Sequence, residues 1–168
     1  MFKRVVEEPS RSAYSRASDE FRHRGMSYPD EPEFEIPRLP YDLGDQADSE
    51  LMILFNEFTI WTNFIAVQVT KAAVEEDDAE ADLDVEEAKF IILNVEPGQV
   101  GIQRANKERR VDATVNVLRN RVLEKKALRK MTETLFNNME RSTFAVSREL
   151  SRRIGMAPAQ GRMNKTGA

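Results

Sequence analysis

The chain has no cysteine, a single histidine and a single tryptophan, and only seven glycines and seven prolines among its 168 residues. Without cysteine there are no disulfides and no thiolate metal ligands, a composition compatible with a reducing interior, so the cytoplasm is the expected compartment. His23 stands in a stretch with no Cys or second His beside it, which speaks against a metal or catalytic role. There is no nucleophile motif and no phosphate-cradling glycine loop; Gly98 and Gly101 mark a turn. No apolar run approaches the roughly 20 residues a spanning helix requires, so no membrane partner is expected. Met1 to Val6 leads into Glu7, Glu8 and Pro9 rather than into the apolar segment of a signal peptide. Neither catalytic residues nor a cofactor or metal site is predicted.

What the chain has in quantity is charge, 32% of residues against 40% hydrophobic, enough apolar material for one modest domain. The net charge of −4 conceals an internal division. Residues 41–94 carry 2 basic and 14 acidic side chains, whereas residues 95–168 carry 16 basic and 7 acidic ones. Residues 1–40 are nearly balanced, with 7 basic and 8 acidic side chains. The whole-chain charge is therefore a poor guide to partners.

Residues 1–40 read as an extended or disordered arm, because four prolines between Pro29 and Pro40 disfavour helix and sheet interiors. A short helical turn near Ala17 to Arg24 is the one exception. The first long helix opens near "DQADSE", where Asp48 or Ser49 supplies a cap and Glu50 sits in the positive first turn. At 100° per residue, Leu51, Leu54, Phe58, Trp61, Ile65 and Val69 form one apolar face, and Ile53, Ile60, Phe64 and Val67 form another roughly opposite. A helix apolar on both sides is buried on both sides. The first face is assigned to the partner helix and the second to an oligomer interface with another subunit.

The helix is expected to continue to about Leu93, with a break or hinge in the acidic stretch "EEDDAEADLDVEE", and "EPGQVG" then reverses the chain. A small β-hairpin of "KFIILNV" and "QVGI" is the alternative. From Ile102 to Ile154 neither proline nor glycine interrupts a second helical pattern. Val111, Val115, Leu118 and Val122 line one face of it, and Leu128, Met131, Leu135, Met139, Val146 and Leu150 another, so a break or change of packing partner is expected near Glu124 to Ala127. The fold expected is all-α: a helical hairpin domain over residues 41–155, long and antiparallel, with a short flexible basic tail over 156–168. Folding back at Pro97 would bring the acids Glu75 to Glu87 beside Arg104, Lys107, Arg109 and Arg110.

Opposite the stripe that runs from Leu128 to Leu150, the side chains Lys126, Lys130, Arg141, Arg148 and Arg152 form a basic ridge on the order of 40 Å long at about 1.5 Å per residue. Its spacing suits several phosphates at once, and Ser147, Ser151, Arg162 and Lys165 could add contacts. A solvated helix face enriched in Lys and Arg towards its C-terminus is the plain alternative. The acidic run lacks the order and the turn glycine of a calcium loop, so a solvated acidic face is expected there.

The acidic amphipathic helix "SELMILFNEFTIWTNFIAVQVTKAAVEEDDAEADL", the turn, the long basic helix and the ending "SRELSRRIG" resemble, over residues 49–154, the UvsY-type recombination mediators of tailed phages. The resemblance is one of size, helix order and charge. It implies a small helical protein that forms a homo-oligomer, binds single-stranded DNA, and works with a recombinase and a single-strand-binding protein, in the host cytoplasm if phage-encoded. The expected function is therefore that of a non-enzymatic nucleic-acid-binding accessory protein in recombination or replication. The alternative is a virion or scaffold protein whose arm and two-faced helix wrap neighbouring subunits.

Overall fold

The computed structural model describes residues 12–95 and 99–156. They are all-α, with four helices among them: α1 (Ala13–His23), α2 (Asp48–Asn94), α3 (Gln99–Arg109) and α4 (Ala113–Met156). No strand occurs among the described residues, so the β-hairpin alternative is overturned: residues 88–94 continue α2, and α3 begins at Gln99. The turn at Pro97–Gly98 and the expected tail beyond residue 156, with Arg162 and Lys165, lie outside the described residues. No helix among the described residues is long and apolar enough to cross a membrane. The described residues fall into two compact units, one of residues 12–28, 67–95 and 99–133, the other of residues 29–66 and 134–156.

In the first unit, α1 replaces the short helical turn expected from sequence and starts four residues earlier. Ser12 caps it by accepting from the amide of Ser15 at 3.2 Å. Gly25, at φ 73°, closes it: its amide bonds the Arg22 carbonyl at 2.9 Å and the Met26 amide reaches Phe21 at 3.2 Å. That paired closure is the Schellman arrangement, in which glycine accepts the left-handed conformation without steric cost. The helix is tied to α2 by a hydrogen bond from the Ala13 amide to Asp78 at 2.9 Å, and Lys71 stands 5.5 Å from the centre of the Tyr14 ring.

The acidic stretch does not break α2, which is continuous from Asp48 to Asn94. Cations from α3 and α4 remove the like-charge repulsion that would favour a hinge there. Glu75 meets Lys125 at 2.6 Å, Glu76 meets Arg129 at 3.4 Å, Asp82 meets Arg121 at 3.1 Å, and Glu87 meets Arg119 at 2.6 Å and Arg109 at 3.1 Å. From Glu76 with Arg129, through Asp82 with Arg121, to Glu87 with Arg119, the α4 number falls as the α2 number rises, so the two helices run antiparallel in this unit. Of the expected partners Arg104, Lys107, Arg109 and Arg110, Arg109 is paired with the acidic run at Glu87, while Arg104 bonds Glu108 on its own helix at 2.9 Å. The core beneath is thin, comprising Ala72, Ala79, Ala105 and Val115, with the carboxylate of Glu76 buried beside them.

The second long helical pattern is broken, but not at Glu124 to Ala127. It breaks at residues 110–112, which separate α3 from α4. Val111 donates to the Glu108 carbonyl at 3.0 Å, and Asp112 restarts the helix by accepting from the amide of Val115 at 2.9 Å. A side chain that can satisfy the free amides of a first turn competes with helix continuation at that point. Of the later apolar stripe, Met139 and Val146 are buried, but Leu128 and Met131 are exposed. Leu128 lines a shallow depression with Gln68, Lys71, Ala72, Glu75 and Thr132, a mostly polar surround that leaves it little apolar cover.

The second unit has the larger core side chains: Leu51, Phe58, Trp61 and Ile65 from α2, against Met139 and Val146 from α4. The first expected face of α2 is thus the buried one here, while on the second face Ile53 and Ile60 are exposed and Phe64 and Val67 half-buried. The proline-rich segment 29–47 lies on this core without regular structure, and Phe34 meets Trp61 edge-to-face at 6.3 Å. Thr62 and Thr143 share a hydrogen bond of 3.3 Å across the two helices. The helix start is not capped by Asp48 or Ser49. Its first bond is Leu51 to the Ala47 carbonyl, and the Glu50 carboxylate reaches back to the Ala47 amide at 2.9 Å, one half of a capping box.

Candidate nucleic-acid interface

The basic residues of α4 divide by what already holds them. In the first unit, Arg119, Arg121, Lys125 and Arg129 pair with α2 carboxylates at 3.4 Å or closer. Lys126, the first residue of the expected ridge, faces Glu76 at 3.8 Å and Glu80 at 3.9 Å. Lys130 is exposed. The ridge is therefore less free of acids here than its helical position suggests, because the neighbouring helix supplies them.

In the second unit, the segment "SRELSRR" is organised around one carboxylate. Glu149 accepts from Arg152 at 2.6 and 2.7 Å and from Arg153 at 2.8 Å. Hydrogen bonds from Arg152 and then from Arg153 hold the Glu149 carboxyl down to about 2, well below the ordinary carboxylate range. Arg152, an expected ridge residue, is partly neutralised in this way, and its guanidinium is raised above its usual value by the bond to Glu149.

Arg153, which the helical wheel puts on the core side, has a role the sequence did not disclose. Besides Glu149 it donates to Asp48 at 2.6 Å and to the carbonyls of Gln46, Leu43 and Gly44 at 2.7, 3.0 and 2.9 Å. Its guanidinium is raised by Asp48 first and Glu149 second. All five donors of a guanidinium are thereby used, and the loop entering α2 is fastened to the end of α4. Glycine at 44 and the aspartates at 42 and 48 are the only traces of this socket in the sequence.

Two ridge residues of this unit remain. Arg141 and Arg148 are exposed and have no carboxylate partner among the described residues. They lie seven positions apart on one face of α4, with Phe144 between them, itself 78% exposed. A surface depression beside the ring is lined by Asn137, Glu140, Arg141 and Phe144. Because Arg152 and Arg153 are drawn to Glu149, the sites open to an external anion concentrate on Arg141 and Arg148.

No group of three or more His, Cys, Asp or Glu side chains suited to a metal ion occurs among the described residues. Of the acidic run, Glu75, Glu76, Glu80, Asp82, Glu86 and Glu87 meet cations and Asp78 meets a backbone amide. Comparison with models of protein families, with curated proteins and with solved structures returns no match to this chain.

Proposed function

We propose that this is a non-enzymatic, oligomeric nucleic-acid-binding accessory protein that grips the phosphate backbone of single-stranded DNA, in the manner of a recombination or replication mediator. In this reading α2 and α4 are the arms of one long helical hairpin, residues 1–40 form an N-terminal arm, and residues 156–168 a basic tail. A recombinase or a single-strand-binding protein is the expected protein partner. The observation that carries the reading is the pair of exposed arginines, Arg141 and Arg148, left without carboxylates on a helix whose other arginines meet carboxylates. Cations serving only to stabilise the fold are expected in the paired set.

The scaffold reading draws support from Ile53 and Ile60, exposed on α2. Against it, the segment that would wrap neighbours is engaged with its own chain, through Ala13 on Asp78 in one unit and Phe34 on Trp61 in the other. The test is the salt dependence of oligonucleotide binding. Replacing Arg141 and Arg148 by alanine should weaken binding and reduce the log–log slope by about 1.4, at roughly 0.7 per single-strand phosphate contact. A double variant with an unchanged slope would remove these arginines from the interface and leave the scaffold reading standing.

A further inference from the structure

Phe144 has no structural duty that its position explains. It is a large apolar side chain, 78% exposed, and among the described residues its ring has no aromatic or cationic partner. The other exposed apolar residues of α4, such as Val117, Leu123, Leu128 and Met131, do not stand between two unpaired arginines. At about 1.5 Å per residue, Arg141 and Arg148 are roughly 10 Å apart along the axis, so a strand whose phosphates reach both must pass over the ring.

We infer that Phe144 is a stacking platform for one unpaired nucleobase, held in place by backbone phosphates on Arg141 and Arg148. The inference rests on the nucleic-acid reading above and adds to it the element that distinguishes a single strand from a duplex. An aromatic face is offered to any base, but only an unpaired base can turn onto it, because those of a duplex are already stacked within the helix. The depression beside the ring sharpens the division of labour. Glu140 in its wall repels a phosphate, and with Asn137 it offers hydrogen-bonding partners to the polar edge of a base. Phosphates are thereby assigned to the arginines and the base to the ring and its depression. Glu140 is an acceptor only, so an exocyclic amine is the complementary group on the base.

The test is a fluorescence anisotropy titration of the full chain with a labelled mixed-sequence single strand and with the corresponding duplex. Phe144→Ala should weaken single-strand binding by roughly 10-fold, within the range measured for base–aromatic stacking, while leaving duplex binding within about twofold. Phe144→Leu, still apolar, should behave like alanine, and Phe144→Trp should retain binding and show quenching of the new indole when the strand is added. The position is exposed, and circular dichroism checks that each variant keeps its fold. If Arg141→Ala and Arg148→Ala weaken binding but Phe144→Ala and Phe144→Leu do not, stacking is wrong and the backbone reading survives. Should neither set matter, both fall. A drop in light-scattering mass on Phe144→Ala, with binding unchanged, would reassign this face to contact with a second copy and overturn the inference.

Discussion

At the scale of single residues, Arg153 and Glu149 account for how the end of α4 is fixed to the entrance of α2. Arg153 binds three carbonyls and Asp48 at the entrance to α2, and Glu149 holds Arg153 from its own helix, one turn back. Charge-assisted bonds of this kind are stronger than neutral ones, and a planar guanidinium meets several acceptors at once where lysine could not. The depressed Glu149 pKa gives this arrangement a signature. Its carboxyl titrates near 4.5 when unfolded and about 2 when folded, so its contribution to stability is complete above about 4.5 and is lost as pH falls towards 2. We therefore expect the melting temperature of Glu149→Gln to lie below that of the parent by a constant amount between pH 5 and 7, and the two to converge near pH 2. Parallel curves down to pH 2 would mean that Glu149 is not ionised against these arginines in the folded state.

At the scale of elements, the helices were legible where apolar spacing reflects burial and illegible where it does not. The face of α2 with Leu51, Phe58, Trp61 and Ile65 is read directly from a 3.6-residue period, because large side chains fill the space against α4. The continuity of α2 through its acids could not be read in the same way. It depends on cations brought up from residues 109 to 129, and their partners follow from register, not from local pattern. The ridge suffered in the same way: helical position groups Lys126 and Arg152 with Arg141 and Arg148, but only through-space neighbours show that the first two face carboxylates. The break between α3 and α4 was missed because neither proline nor glycine marks it. Its one local signal is Asp112, whose carboxylate takes the Val115 amide. Replacing Asp112 by alanine should cost about 1 kcal/mol, the usual value of an N-cap, measurable as a lower urea midpoint at unchanged m. Full retention of stability would mean that the interruption is imposed by packing alone.

At the scale of the whole molecule, what distinguishes this chain is how unevenly its apolar and charged groups find partners within one copy. Ile53 and Ile60 are 58% and 47% exposed on α2, on the side away from Phe58 and Trp61, and Phe64 and Val67 beside them are half-buried. Fully burying an isoleucine contributes about 1.5 to 3 kcal/mol, so covering the exposed half of two per protomer on both sides of a twofold contact contributes about 3 to 6 kcal/mol towards offsetting the entropy of association. Such an oligomer would also raise the effect of a small patch such as Arg141 and Arg148, since a second patch on the same strand binds at high effective concentration. Replacing Ile53 and Ile60 together by aspartate should reduce the light-scattering mass to that of a single chain without loss of helicity. It should also weaken binding to an oligonucleotide long enough to span two patches by at least 10-fold, while leaving binding to a short one within about twofold. A parent protein that is already monomeric would remove this face from the oligomer interface. A variant that becomes monomeric yet binds the long strand as tightly would show that one patch is sufficient, and avidity would have no part in the mechanism.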